Sequence, residues 1–439
     1  MREPPTPSGS TSRKATPACP GGTVLYRQRR ALAAAATGAA ALLVTLAACG
    51  SSSGNGATSD GSTKKPATTI TIGVLTDVTG PASSGNKTSI DGVKAGVVYA
   101  ARQGYTIKYV IGDTATNPAT ALSAAQKMVT QDHVLAVIAS SAIALTATGY
   151  LTAHNIPVIG IPEDGPEWTT SKNMFPVTGP LDQTFVATTT GAFLKKMGVT
   201  SVASIGYSVS PQSSEAASAS AESARRAGIK VGYLNAKFPF GSTDVGAVVL
   251  AMKAAGIDGF TGLVDPNTSF AILTGLHDQG VDIKAALMPV GYGGDLTQAG
   301  PGAIQAAQGA YFALSYQPVE LNTPATRQFE SDLKAARVTG EPTLAQYTGY
   351  SSVGLLVRAL KGTAANPTQA SLIASLSTIH NWDALGLFGS QTADPNADQP
   401  AQDQCLFMAQ LEGNSFKTVP GAEPICGKTI PGVKVAPAS

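Results

Sequence analysis

The sequence predicts an α/β protein built as two doubly wound, parallel-sheet lobes. Three observations predict it. From Thr69 onward, short apolar runs alternate with segments of helical periodicity. That strand–helix beat is the signature of parallel sheets joined by crossover helices. Glycine follows successive helical segments, the usual left-handed stop. The alternation extends over about 370 residues, more than one comfortable hydrophobic core, so two lobes are expected.

The elements follow in order. Ile70-Thr71-Ile72-Gly73-Val74-Leu75 reads as a strand and Asp77-Val78-Thr79-Gly80-Pro81 as a turn. Ile90, Val93 and Val97 fall at helical spacing, and Ile107–Ile111 is the next strand. Asn117 before Pro118 predicts an N-cap and first-turn proline for a helix over Pro118–Thr130, whose Leu122, Ala125 and Val129 share a face. Strand Ala136–Ile138 follows. In the second half, helix Thr184–Lys196 leads to strand Ser201–Ile205. Helix Ser214–Ala227 stops at Gly228 before strand Ile229–Leu234. Helix Val245–Ala255 stops at Gly256 before strand Gly259–Val264, and helix Ser269–Gln279 stops at Gly280 before strand Ile283–Met288.

The chain of 439 residues is 43% apolar and 13% charged, which excludes a disordered polyelectrolyte. Its N-terminus is separate from the fold. Arg27, Arg29 and Arg30 precede an uncharged, Ala-rich run, Ala31–Ala48, that closes on Leu46-Ala47-Ala48-Cys49-Gly50. A basic region, an apolar region and a small-residue site spell a secretory signal. The cysteine after Leu-Ala-Ala resembles a bacterial lipoprotein signal, in which Cys49 is acylated and becomes the mature N-terminus. Residues 1–23, rich in Pro, Ser and Thr, are unusual for a signal, so a start near Val24 is expected. Residues 1–48 are assigned to the signal and 49–68, Ser/Gly/Thr-rich, to a flexible lipidated tether. Removing 1–48 takes six basic residues and one acid, turning a formal charge of +2 into −3 (24 basic against 27 acidic). Cys405 and Cys426 then remain, and in an oxidising compartment an even pair reads as a disulfide.

Several chemistries are not supported. None of His133, His154, His277 and His380 sits in a metal-binding spacing, and no metal or cofactor is expected. Gly349-Tyr350-Ser351-Ser352-Val353 lacks the second glycine of a nucleophile elbow, and there is no phosphate-binding loop. No Lys/Arg-rich run follows Lys65, so no nucleic-acid footprint is visible. The chain is not expected to be an enzyme.

Ile72-Gly73-Val74-Leu75-Thr76 leading to Thr79-Gly80-Pro81, Gly112-Asp113-Thr114 with Asn117-Pro118, Ile156-Pro157-Val158-Ile159, and Phe238-Pro239-Phe240-Gly241 with Thr243-Asp244 occur in that order. Pro318, Asn322-Thr323-Pro324 and Gly349-Tyr350 follow. With the lipobox ahead of them, these residues resemble the Leu/Ile/Val-binding family of ABC-transporter substrate-binding lipoproteins, of type I periplasmic-binding fold. The likeness spans Ile70 to Cys426. It implies three crossings between lobes, with lobe one at 69–178 plus 318–390 and lobe two at 179–317 plus 391–439. It also implies a ligand between the lobes, at the carboxyl ends of parallel strands. The expected partners are a small-molecule solute, an ABC permease with its ATPase, and the membrane through the lipid anchor. A monomer on the outer face of the bacterial cytoplasmic membrane is expected.

The resemblance places the ligand site at Thr79, Ser84, Ser140, Ser141, Asp164, Asp265, Asn267, Tyr292 and Tyr347. The loop after strand Ala136–Ile138 carries Ser140 and Ser141, with Ile143 where relatives have a hydroxyl. The next loop, Pro162-Glu163-Asp164-Gly165-Pro166, brings a carboxylate where relatives prefer neutral residues. At about 4 Å and intermediate dielectric it would repel a ligand carboxylate by roughly 4 kcal/mol. Tyr292 stands near the place of an expected acid, and the relatives' Tyr-Gly pair after strand Ser201–Ile205 is replaced by Ser210-Pro211-Gln212-Ser213. Weak binding of leucine, isoleucine and valine, and preference for a polar or cationic solute, are therefore expected. Each residue also has a plainer reading: Asp164 as a surface carboxylate, Asp265 as a helix N-cap, Tyr292 and Tyr347 as core. Two functions compete, delivery of a solute to a permease and ligand sensing for a signalling partner, and the fold serves both.

Overall fold

The computed structural model describes residues 69–163 and 165–436. The export signal, Cys49, the tether and Asp164 lie outside the described residues.

Residues 69–176 form β1 (Thr69–Thr76), α1 (Ser83–Asn86), α2 (Ser89–Arg102), β2 (Thr106–Asp113), α3 (Pro118–Thr130), β3 (Ala136–Ser140), α4 (Leu145–Ala153), β4 (Val158–Gly160), α5 (Glu167–Thr170) and β5 (Met174–Pro176). The five strands are all parallel, in the order β2-β1-β3-β4-β5. β3 is buried along its whole length, which is why its sequence is a continuous small and apolar run rather than an alternating one. Asn117 caps α3 as its spacing predicts, accepting from the amides of Ala119 and Thr120 at 3.0 and 3.1 Å, with Pro118 in the first turn.

The next segment contains β6 (Phe185–Ala187), α6 (Thr188–Lys196), β7 (Ser201–Tyr207), α7 (Pro211–Arg226), β8 (Lys230–Phe238), α8 (Gly246–Ala254), β9 (Gly259–Leu263), α9 (Pro266–Asp278), β10 (Ala285–Met288), α10 (Gly294–Ala299), α11 (Pro301–Ala306) and β11 (Tyr311–Leu314). Then come α12 (Pro324–Ala335), α13 (Leu344–Leu360), α14 (Gln369–Leu376), β12 (Asp403–Glu412), β13 (Ser415–Thr418) and β14 (Ile425–Lys434). Gly228, Gly256 and Gly280 end their helices with φ of 83°, 63° and 67°, the left-handed stop that the sequence implies.

The second sheet runs β6-β14-β12-β11-β10-β9-β7-β8, with β13 paired to β12. Strands β7 to β11 are parallel; β12, β13 and β14 add antiparallel pairs that the strand–helix beat did not reveal. The helix expected from Thr184 begins instead at Thr188. Residues Phe185–Ala187 are held extended by pairing with β14, more than 200 positions later, a partner that no local pattern can announce. Cys405 and Cys426 face each other directly across β12 and β14 and form the expected disulfide, S–S 2.05 Å.

Helices α12 to α14 return to the first sheet. In α13 every residue except Leu344 and Arg358 is buried. It lies against α2 so closely that a Cβ on Gly92 would collide with the Gln346 carbonyl, and one on Gly349 with the Ser89 carbonyl. Beside the same seam an ion pair joins the exposed Arg102 to a buried carboxylate. Both terminal nitrogens of Arg102 donate to the Asp332 carboxylate, which also accepts from the Tyr350 hydroxyl at 2.8 Å. Asp332 is fully buried, so its charge requires that pairing.

Candidate functional site

Strand order reverses between β1 and β3 in the first sheet and between β7 and β9 in the second. Crevices beyond the carboxyl ends at such reversals are where open α/β sheets bind ligands. A cleft of about 620 Å³ lies there. Asn86, Ala142, Ile161 and Glu163 line it from the first sheet, and Tyr207, Gln212, Phe240 and Asp265 from the second. The three segments that pass between the sheets also reach it, through Thr178–Leu181, Ser315–Tyr316, and Phe388 with Gln391 and Thr392.

The two sides touch across the cleft. Ser84 Oγ donates to Asp265 Oδ1 at 3.5 Å. Gln212 Nε2 donates to the Gly165 and Leu181 carbonyls at 3.4 and 3.0 Å. Because both of its partners are carbonyls, the amide orientation is fixed, and Gln212 Oε1 is left buried without a hydrogen-bond partner among the described residues.

Behind the first-sheet wall lies Asp77, fully buried. It accepts from Ser141 Oγ at 2.8 Å, from the Ala142 amide and Asn86 Nδ2 at 2.9 Å each, and from Thr114 Oγ1. Glu163, partly buried at the cleft wall, has its carboxyl pushed up to about 8, first by burial and then by the charge of Asp77, with Asn86 acting in the opposite direction. On the second-sheet side Tyr207 donates its hydroxyl to Asp265, which raises the phenol's pKa together with the larger effect of burial. The Tyr207 ring meets Phe240 edge-on, centroids 4.7 Å apart.

The expected ligand residues fall into distinct groups. Asp265 lines the cleft, and Ser84, next to the lining residue Gly85, donates to it. Asp265 is also the N-cap of α9, accepting from the Thr268 amide at 3.2 Å, so its plainer reading holds as well. Ser140 and Ser141 stand at the end of β3, but their hydroxyls are engaged, Ser140 by Asn86 Oδ1 at 3.4 Å and Ser141 by Asp77. Thr79 is exposed and donates to Asp113 Oδ2 at 2.7 Å, and Asn267 is exposed on α9; neither lines the cleft.

Tyr292 and Tyr347 are core residues. Pro289 and Val290 line the cleft, but after Gly291, with φ of 98°, Tyr292 is buried and donates to Glu320 Oε2 at 2.6 Å. Tyr347 on α13 is packed between Tyr316 and Phe329, centroids 5.3 and 4.4 Å away. The part of the ligand argument resting on Tyr292 therefore does not apply to the cleft.

Tyr207, Gln212, Phe240 and Glu163 are not among the ligand residues expected from the sequence. For Tyr207 a signal existed: the aromatic–glycine pair sought in the following loop is present in reverse, as Gly206-Tyr207, at the strand end. Glu163 adjoins Asp164 in a loop already marked for its charge. Gln212 carried no signal beyond its place at the start of a helix. Among the described residues no group of His, Cys, Asp and Glu could hold a metal ion, and no helix is long and apolar enough to cross a membrane.

Residues 69–415 match the family model described as "Periplasmic binding protein". Comparison with curated protein sequences finds no match. Among solved structures, the chain is similar to the branched-chain amino acid transporter substrate-binding protein LivJ of Streptococcus pneumoniae, in complex with isoleucine. The TM-score is 0.66 at 17% identity, covering 84% of this chain and 100% of that one. It is similar to a solute-binding protein of an R. palustris ABC transporter in complex with 4-hydroxybenzoate, with TM-score 0.66 at 18% identity, covering 85% and 98%. A leucine-binding protein of Thermotoga maritima gives TM-score 0.65 at 18% identity, covering 80% and 97%.

Proposed function

This chain belongs to the periplasmic binding protein family, and we propose that it is an extracytoplasmic lipoprotein that captures a small polar solute (an amino acid, an amide or a related compound) and delivers it to an ABC permease and its ATPase. The observation that carries the reading is the cleft at two facing strand-order reversals, walled by side chains from both sheets. Such a site encloses a small molecule as the lobes close about the segments that connect them. The lobe boundaries proposed from the sequence, 69–178 plus 318–390 and 179–317 plus 391–439, are supported by the division of the strands. All strands of the first sheet lie before Thr178 and all those of the second after it. Cys49 supplies the proposed lipid anchor, on the strength of the Leu46-Ala47-Ala48-Cys49 motif.

A thermal-shift screen of the full-length protein in detergent, against amino acids, amides, amines, sugars and aromatic acids, tests solute capture. A ligand at 100 times its dissociation constant adds about 2.7 kcal/mol to stability. A flat response across the whole panel would count against capture of a small solute.

A further inference from the structure

We infer that the solute taken by this cleft is an organic cation, an amine or ammonium compound without a free carboxylate. The inference rests on the solute-capture reading above and narrows it. Three features of the wall carry it.

The donors that would hold a carboxylate are already committed. Ser141 Oγ and the Ala142 amide both donate to Asp77, and Ser140 Oγ donates to Asn86. The group that Ser141 and Ala142 serve, Asp77, is itself an acid, and its charge behind the wall disfavours a second anion on this side.

The ionisable groups lining the cleft point the same way. Glu163, Asp265, Asp394, Asp403 and His380 line it, and no lysine or arginine does, among the described residues. His380 lies 3.0 Å from Asp394, and Lys428, outside the lining, 3.9 Å from Asp403, so those two acids have partners. Glu163 and Asp265 stand on opposite sides of the cleft without a basic partner within ion-pair distance; burial and the Asp77 charge keep the proton on Glu163 in the empty site, and an ammonium beside it favours the carboxylate form. A zwitterion would bring a carboxylate into this field with no lysine or arginine in the lining to receive it, and with His380 already held by Asp394.

The third feature is a donor-seeking group in the wall. Gln212 is 6% exposed, its NH₂ is spent on two carbonyls, and its Oε1 accepts from nothing among the described residues. A buried acceptor left unpaired is costly and is satisfied by an N–H from the ligand. Glu163 and Gln212 both line the cleft, so an ammonium bound there has acceptors of both kinds in the wall. Tyr207 and Phe240, packed edge to face, add aromatic surface to the same lining.

The test uses two pairs: isoamylamine against leucine, which differ only in the carboxylate, and tyramine against 4-hydroxybenzoate, phenols that carry an ammonium in one and a carboxylate in the other. Calorimetry on the full-length protein is expected to show an amine of at least one pair binding tenfold or more tightly than its acid counterpart. Glu163→Gln is expected to weaken that amine by tenfold or more, and Gln212→Leu, a second route if the first variant folds poorly, by several-fold. Leucine or 4-hydroxybenzoate binding as tightly as its partner amine would overturn the cation assignment while leaving solute capture intact. No binding by any of the four would overturn the assignment and weigh against solute capture too. An amine affinity untouched by both variants would remove these residues, and the inference built on them.

Discussion

Ser84 and Asp265, 181 positions apart, meet across the cleft, with the serine hydroxyl donating to Oδ1 of the aspartate at 3.5 Å. The aspartate does three things at once. It caps α9, holds the Tyr207 hydroxyl and receives the opposite wall. Helix capping and the contact between the two walls therefore run through one carboxylate. Asp265→Ala should cost about 1–2 kcal/mol in chemical denaturation, the usual worth of an N-cap. Asp265→Asn should recover most of that. If alanine and asparagine behave alike, the cap is not what the aspartate contributes.

Gly92→Ala tests the seam between α2 and α13. The added methyl meets the Gln346 backbone, which cannot rotate away, so overpacking of about 1–3 kcal/mol is expected, read as a lowered Tm. Gly104→Ala, where a Cβ meets nothing but φ is 87°, provides a comparison in which backbone strain acts alone.

Glu163 makes stability depend on pH. Its folded carboxyl titrates at about 8 against an ordinary value of 4.5, the charged group set against it being Asp77. The folded state thus holds the proton more tightly than the unfolded one. Stability from this group is full below about 4.5 and is lost progressively as pH rises to about 8. Glu163→Gln should flatten this slope and melt several degrees above the parent protein at pH 8, while matching it near pH 5. A variant that melts lower at both values would show that Glu163 stabilises the fold.

Reducing the Cys405–Cys426 bond opens a crosslink between positions 21 residues apart. The Cys405→Ala/Cys426→Ala double variant should lose about 3 kcal/mol by chain entropy. Intact-mass analysis of the exported protein should show no free thiol from this pair before reduction.

Cys49→Ser should abolish lipid attachment and move the exported protein out of the membrane fraction. Incorporation of a fatty-acid analogue into the Ser variant would end the anchor proposal.

The sequence by itself determined the parts governed by near neighbours. The strand–helix beat fixed the α/β class, Asn117-Pro118 fixed the start of α3, and glycines 228, 256 and 280 fixed three helix ends, because caps and left-handed stops are decided within a few residues. The paired cysteines were legible because thiol chemistry follows from count and compartment. Only the tertiary structure decided what depends on distant partners. β6 is a strand because β14 lies beside it, and Tyr292 and Tyr347 enter the core because aromatic and acidic partners wait there. Ser140 and Ser141 stand at the strand end that the resemblance marked, yet Asn86 and Asp77 claim their hydroxyls first. Gln212 becomes a wall residue through carbonyls 31 and 47 positions away. A side chain's type states what it can bind, whereas its packing decides which of those bonds is already made.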